Sequence, residues 1–213
     1  MPTPLSLIKY LLVFCGLLSV LHAEEVPAEI DPTSVAVLYN SADKESEKLA
    51  IHYARQRRIP TLNLIGLELP LEDTITRSDY NQKIRDPLIQ HFDKASLWVR
   101  KKDRTGALIP TRNRIRVLLL MKGVPFRIKR TEQPKNPNEK PIKTTRGKED
   151  ESSVDSELVY LGVSQYNIAG PLSNPYYKKE APISDPYYTP LLFTCRLDAV
   201  SYTHLTLPTI LLV

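Results

Sequence analysis

The chain has 213 residues, a formal net charge of +5, 42% hydrophobic residues, seven glycines and two cysteines. It is long enough for one domain with a real core and too poor in cysteine for a disulfide framework. Residues 100–150 hold 16 Lys/Arg against five Asp/Glu while the rest of the chain beyond residue 23 is net acidic, so the basic excess is local and not global.

Lys9 is the only charge before the apolar run Tyr10 to Leu21, and Leu21-His22-Ala23 leads into Glu24-Glu25. A basic residue, a short apolar core and a small residue at the cut form a signal-peptide pattern over residues 1–23. Cleavage is predicted after Ala23, giving a secreted or periplasmic protein of bacterial type. The run falls short of the roughly 20 apolar residues of a spanning helix. Bulky Phe14 before Cys15 argues against lipid anchoring. Cys195 is then the one cysteine of the mature chain, and it forms no internal disulfide.

Val35 to Tyr39 is continuously apolar and ends in Asn40, as in a strand covered on both faces. Asp43 to Arg58 reads as a helix with Leu49, Ala50, Tyr53 and Ala54 on one face, closed by Pro60. Asn63 to Leu69 is the second strand. Thr76 or Ser78 then caps a helix carrying Tyr80, Ile84, Leu88 and Phe92. Pro87 inside it predicts a break or kink, with Asp86 capping a new segment. The third strand, Ile115 to Met121, runs into Lys122-Gly123-Val124-Pro125. Strand, helix, strand, helix, strand in this order predicts a mainly parallel α/β sheet with helices on both faces, in three layers.

Residues 130–152 are rich in Lys, Pro, Thr and Glu, which predicts a mobile basic insertion. A short apolar piece to Val163 follows. In the next loop Asn174-Pro175-Tyr176-Tyr177 is echoed by Asp185-Pro186-Tyr187-Tyr188. These tyrosines read as sheet cover first and as sugar-stacking platforms second. Leu191 to Thr194 reads as a fourth strand delivering Cys195, Arg196 and Asp198. Residues 200–213 are uncharged and resemble a translated sequencing-adapter tail of a metagenomic fragment. The organisation expected is therefore one α/β domain over 24–199, incomplete at its C-terminus.

Ligands of open parallel sheets bind beyond the carboxyl ends of the strands. Those ends present Asn40, Lys122, Arg196 and Asp198, and the loop with Asp155 and Glu157 is expected nearby. Two cations, three carboxylates and an amide make a candidate polar site; ordinary ion pairs and caps are the plainer reading. An apolar strand ending in Cys195 has the topology of caspase- and gingipain-like peptidases, but Lys122-Gly123 stands where His-Gly is required. His52 and His91 both fall in predicted helices, so Cys195 is a weak nucleophile candidate. No zinc-ligand spacing, calcium loop or glycine-rich phosphate loop is present, so no metal or cofactor is expected. The basic region 100–150 raises affinity for anionic polymers, although no specific nucleic-acid motif accompanies it.

Several motifs occur in order between Ser34 and Asp198. They are Val37-Leu38-Tyr39-Asn40, Arg57-Arg58-Ile59-Pro60, Asn63 to Leu67, Ile84-Arg85-Asp86-Pro87-Leu88, and Gly123-Val124-Pro125. Ser153 to Leu158, Gly170-Pro171-Leu172 with Asn174 to Tyr177, and Arg196-Leu197-Asp198 complete the set. Together they resemble an uncharacterised family of exported proteins from Planctomycetes and Verrucomicrobia-type bacteria. The resemblance implies a truncated copy of a longer protein, a position 195 not held as cysteine, and no activity to transfer. The sequence names no reaction. Its two alternatives are a hydrolase distantly akin to caspase- and gingipain-like peptidases, and a non-catalytic envelope module binding anionic polymers.

Overall fold

The computed structural model describes residues 30–132, 150–163, 175–176 and 188–198. The expected signal peptide, residues 133–149 of the insertion, most of the tyrosine loop and the tail lie outside the described residues. Four parallel strands form the main sheet: β1 (Val35–Asn40), β2 (Leu64–Leu67), β6 (Val117–Met121) and β9 (Phe193–Leu197), in the order β2-β1-β6-β9. The expected mainly parallel α/β architecture is present, and β1 and β6 lie side by side at its centre.

Period-two alternation divides the strands between two cores. Val37, Leu119 and Met121 face one side with Leu49, Ala50, Tyr53 and Ala54 of helix α1 (Lys44–Gln56). Leu38, Leu118 and Leu120 face the other with Tyr80, Ile84, Leu88 and Phe92. Covering both faces is why β6 is apolar at every position and buried throughout.

Helix α1 is capped by Asp43, whose carboxylate accepts the Glu45 N–H at 2.9 Å. Its end differs from expectation. Ile59 N–H donates to Ala54 O at 2.9 Å and Arg58 N–H to Arg55 O at 3.3 Å, with Arg58 at φ 56°. This double bond is a Schellman cap, so the helix stops before Pro60 has any part in it.

Thr76 caps the second helical region, comprising α2 (Arg77–Asp79), a π-wound segment (Tyr80–Arg85) and α3 (Asp86–Lys94). At Pro87 the expected break or kink takes the form of a π-wound turn in a continuous helical backbone, with no cap at Asp86. Asp86 keeps helical backbone angles, and its N–H donates to Asn81 O five residues back. Proline lacks an N–H and crowds the preceding turn; one wider turn absorbs both defects without a new start. A second Schellman cap, Leu97 N–H to Phe92 O at 3.0 Å and Ser96 N–H to Asp93 O at 3.2 Å, ends α3, with Ser96 at φ 51°.

An unforeseen hairpin follows, pairing β4 (Trp98–Lys102) with β5 (Leu108–Asn113) and irregular between Val99 and Arg100. Trp98 anchors it: the ring lies 4.8 Å from that of Phe92 and Nε1 donates to Asp93 at 2.6 Å. Gly162 (φ +80°) approaches so closely that a Cβ there would sit 2.5 Å from the indole. A smaller sheet joins β3 (Thr74–Ile75), β7 (Arg127–Ile128) and β8 (Ser152–Ser153), followed by α4 (Val154–Leu158). β7 and β8 pair antiparallel at the base of the basic insertion. Just beyond this pairing, Asp150 accepts the Thr131 N–H at 2.8 Å and also bonds its hydroxyl.

Candidate functional site

The strand order reverses between β1 and β6, and ligands of such sheets occupy the crevice at that point. Here a buried amide closes it. Asn40 Nδ2 donates to Pro70 O at 3.1 Å and to Gly123 O at 3.0 Å. Its Oδ1 accepts from Ala42 N and Leu69 N, each at 3.0 Å. All four hydrogen-bonding positions of the amide are used on main chain. Asn40 is therefore a tie between three strand-end loops, and not a ligand contact as the sequence reading had it.

Glu157 is likewise structural. Its side chain is fully buried and takes a two-pronged bond from Arg77, at 2.5 and 2.7 Å. Ser152 donates to it as well, and Arg77 also reaches Asp150 O at 2.6 Å. This pair fastens α2 to the base of the insertion and to α4, turned away from the rim. Lys122 ends β6 with its N–H on Leu197 O at 2.9 Å, its side chain exposed.

Three of the expected residues do converge. β9 runs on to Leu197, three residues past its expected end, so Cys195 and Arg196 lie within it and point to opposite faces. Arg196 donates to Val124 O at 2.6 Å and Pro125 O at 3.3 Å and pairs with Asp155 at 3.1 Å. Together with Asp198 these two residues line a groove of ≈ 820 Å³. Phe126, Arg127 and Glu151 also line it, with Ser152, Ser153 and Ser156, and Arg127 and Glu151 are paired at 3.2 Å. Phe126, Arg127 and Glu151 were not foreseen, because only the small sheet brings together Arg127 in β7 and the flanking Phe126 and Glu151.

Cys195 packs on the α1 side, away from Arg196. Burial, and then the Asp155 charge, push its thiol up to about 11. The thiol is thus protonated at neutral pH and a poor nucleophile. His91 is bound to Leu62 O at 2.9 Å through Nε2, beside β2 at the far edge of the sheet. His91, across the sheet from Cys195, is thus not placed to serve as the base that the peptidase reading requires. Among the described residues, no three His, Cys, Asp or Glu side chains are grouped to hold a metal, and no helix is long and apolar enough to cross a membrane.

The basic region takes a defined form in the β4–β5 hairpin. From Trp98 to Arg114 the chain carries six Lys/Arg and one Asp. Arg100 is spent internally, 2.6 Å from Asp93 and 5.1 Å over the Trp98 ring. Lys101, Lys102, Arg104, Arg112 and Arg114 are exposed, and none has an acidic partner among the described residues. Asp103 is occupied with its own turn, accepting from Thr105 N at 2.8 Å and Ala107 N at 3.0 Å. These bonds and the Thr105 hydroxyl hold its carboxyl below the usual range. Of the two tyrosine pairs, Tyr176 and Tyr188 are among the described residues: Tyr188 is buried, 4.7 Å from the ring of the half-buried Tyr176, which meets Phe193 edge-on at 5.4 Å.

Comparison of the chain with family models, with curated proteins and with solved structures gives no match.

Proposed function

We propose that the chain is a non-catalytic envelope module that binds an anionic polysaccharide through the β4–β5 hairpin. The observation that carries this reading is the set of five exposed cations, without acidic partners among the described residues, on β4, β5, the turn between them and Arg114 just beyond. Cations on an ordered strand pair keep their spacing. Binding a polyanion therefore costs less ordering than it would for the same charges on a free loop, and it releases counterions from the polymer. The export signal read in residues 1–23 favours a polymer of the cell envelope over an intracellular one.

The test is salt elution of the full chain from a heparin-type resin, beside a variant in which Lys101, Lys102, Arg104, Arg112 and Arg114 are all Gln. All five lie on the surface, so the variant is expected to fold. The wild type should elute at clearly higher salt. Equal elution overturns the reading, and so does retention by duplex DNA with none by heparin.

A further inference from the structure

The groove at the end of β9 does not stop at Asp198. A second groove of ≈ 290 Å³ shares Ser153, Asp155 and Ser156 with it and runs on to Tyr176, Phe193 and Thr194. The two form one cleft bent around the first turn of α4 and following β9, whose five residues span about 16 Å. Aromatic rings stand at both ends. Phe126 is 46% exposed at one, and half-buried Tyr176 and Phe193 stand at the other. Between them lie a fixed carboxylate–guanidinium pair, Asp155 with Arg196, and the hydroxyls of Ser153 and Ser156.

The charges of this lining define the ligand. Glu151 is shared by Arg127 at 3.2 Å and Arg130 at 3.7 Å, and Arg196 is matched by Asp155; of the carboxylates lining the cleft, the exposed Asp198 has no cationic partner among the described residues. A phosphate, sulfate or uronate would therefore have to compete with Glu151 or Asp155 for cations that are already paired. The cleft offers aromatic faces, carboxylate acceptors and an oriented guanidinium. Aromatic faces attract the C–H surface of a pyranose through their negative quadrupole, while carboxylates and a rigid guanidinium fork suit neighbouring hydroxyls. Arg196 Nε and Asp155 Oδ1 are also buried without a hydrogen-bond partner among the described residues. Such gaps are uncommon in folded proteins and concentrate where a site, not stability, dictates the residue.

We infer that this cleft binds a short segment of a neutral glycan, with Phe126 and Tyr176 as stacking faces and Asp155, Arg196 and Asp198 reading its hydroxyls. The site is separate from the hairpin, and the two stand or fall independently.

Calorimetric titration of the full chain with cellohexaose, maltohexaose, xylohexaose and chitohexaose tests it. At least one should bind, with affinity unchanged between about 50 and 500 mM salt, because no net charge is neutralised. Phe126→Ala and Asp198→Asn, both at exposed positions, should each weaken that binding roughly tenfold. The five-Gln hairpin variant should bind as the wild type does. The inference is overturned if none of the four sugars binds, if both cleft variants bind as tightly as the wild type, or if the hairpin variant loses the sugar.

Discussion

Replacing Asn40 by Ala removes an amide that makes four hydrogen bonds to main chain, all at 3.0 to 3.1 Å. Each contributes about 0.5–1.5 kcal/mol net, so the four together contribute about 2–6 kcal/mol. The carbonyls of Pro70 and Gly123 and the N–H groups of Ala42 and Leu69 lose their partner at a fully buried position. A loss of about 3–5 kcal/mol is expected, read by urea unfolding with far-UV circular dichroism and the fluorescence of the single tryptophan, Trp98. Asn40→Asp keeps the shape and the two accepted bonds but turns an oxygen toward two carbonyls. Its carboxyl should stay protonated in the folded state, with a pKa above the unfolded value of about 3.9. The sign follows: the variant is most stable below about pH 4 and loses stability as pH rises. A cost below about 1 kcal/mol for Asn40→Ala, or an Asn40→Asp variant indifferent to pH, refutes the role of Asn40 as the tie that closes the crevice.

Glu157→Ala leaves the Arg77 guanidinium buried and unmatched, and should cost about 3–5 kcal/mol in the same assay; a loss below about 1 kcal/mol means the pair is not a fastening. Ser96→Gly relieves a left-handed residue at a helix end and should raise the melting temperature by about 2–4 °C; a lower melting temperature contradicts the cap. Cys195 should be alkylated by iodoacetamide with a midpoint near pH 11, and a midpoint near the ordinary value of about 8.5 would show an exposed thiol. Because burial raises the folded value above 9.0, the thiol's contribution is complete below pH 9 and is lost as pH rises toward 11. Cys195→Ser should therefore show a smaller fall in stability across that window than the wild type.

The main sheet was legible because β1 and β6 are unbroken apolar runs and α1 carries its apolar face at helical spacing. Such patterns depend only on neighbours along the chain. The site was less legible because strand phase decides which face a side chain takes. β9 runs on to Leu197, three residues past its expected end, so Cys195 and Arg196 lie inside the strand on opposite faces instead of together at its exit. Glu157 looked like a rim carboxylate since its partner Arg77 is 80 residues away and no local pattern announces the pairing. The hairpin was hidden by its charge, although Asp103-Arg104-Thr105-Gly106 between Trp98-Val99 and Leu108-Ile109 is a turn flanked by strand formers. Pro87 promised a break or kink and produced a wider turn, because the flanking residues Ile84 and Leu88 are both fully buried in one core and hold the helix together across it.

The salt dependence of binding to a size-fractionated heparin oligosaccharide tests the hairpin as a cationic ribbon most directly. Each cation that meets the polymer contributes about one to the slope of log K against log salt. The wild type should therefore show a steeper slope than the five-Gln variant, by about three to five if most of the ribbon makes contact. Slopes that agree within about one would contradict it.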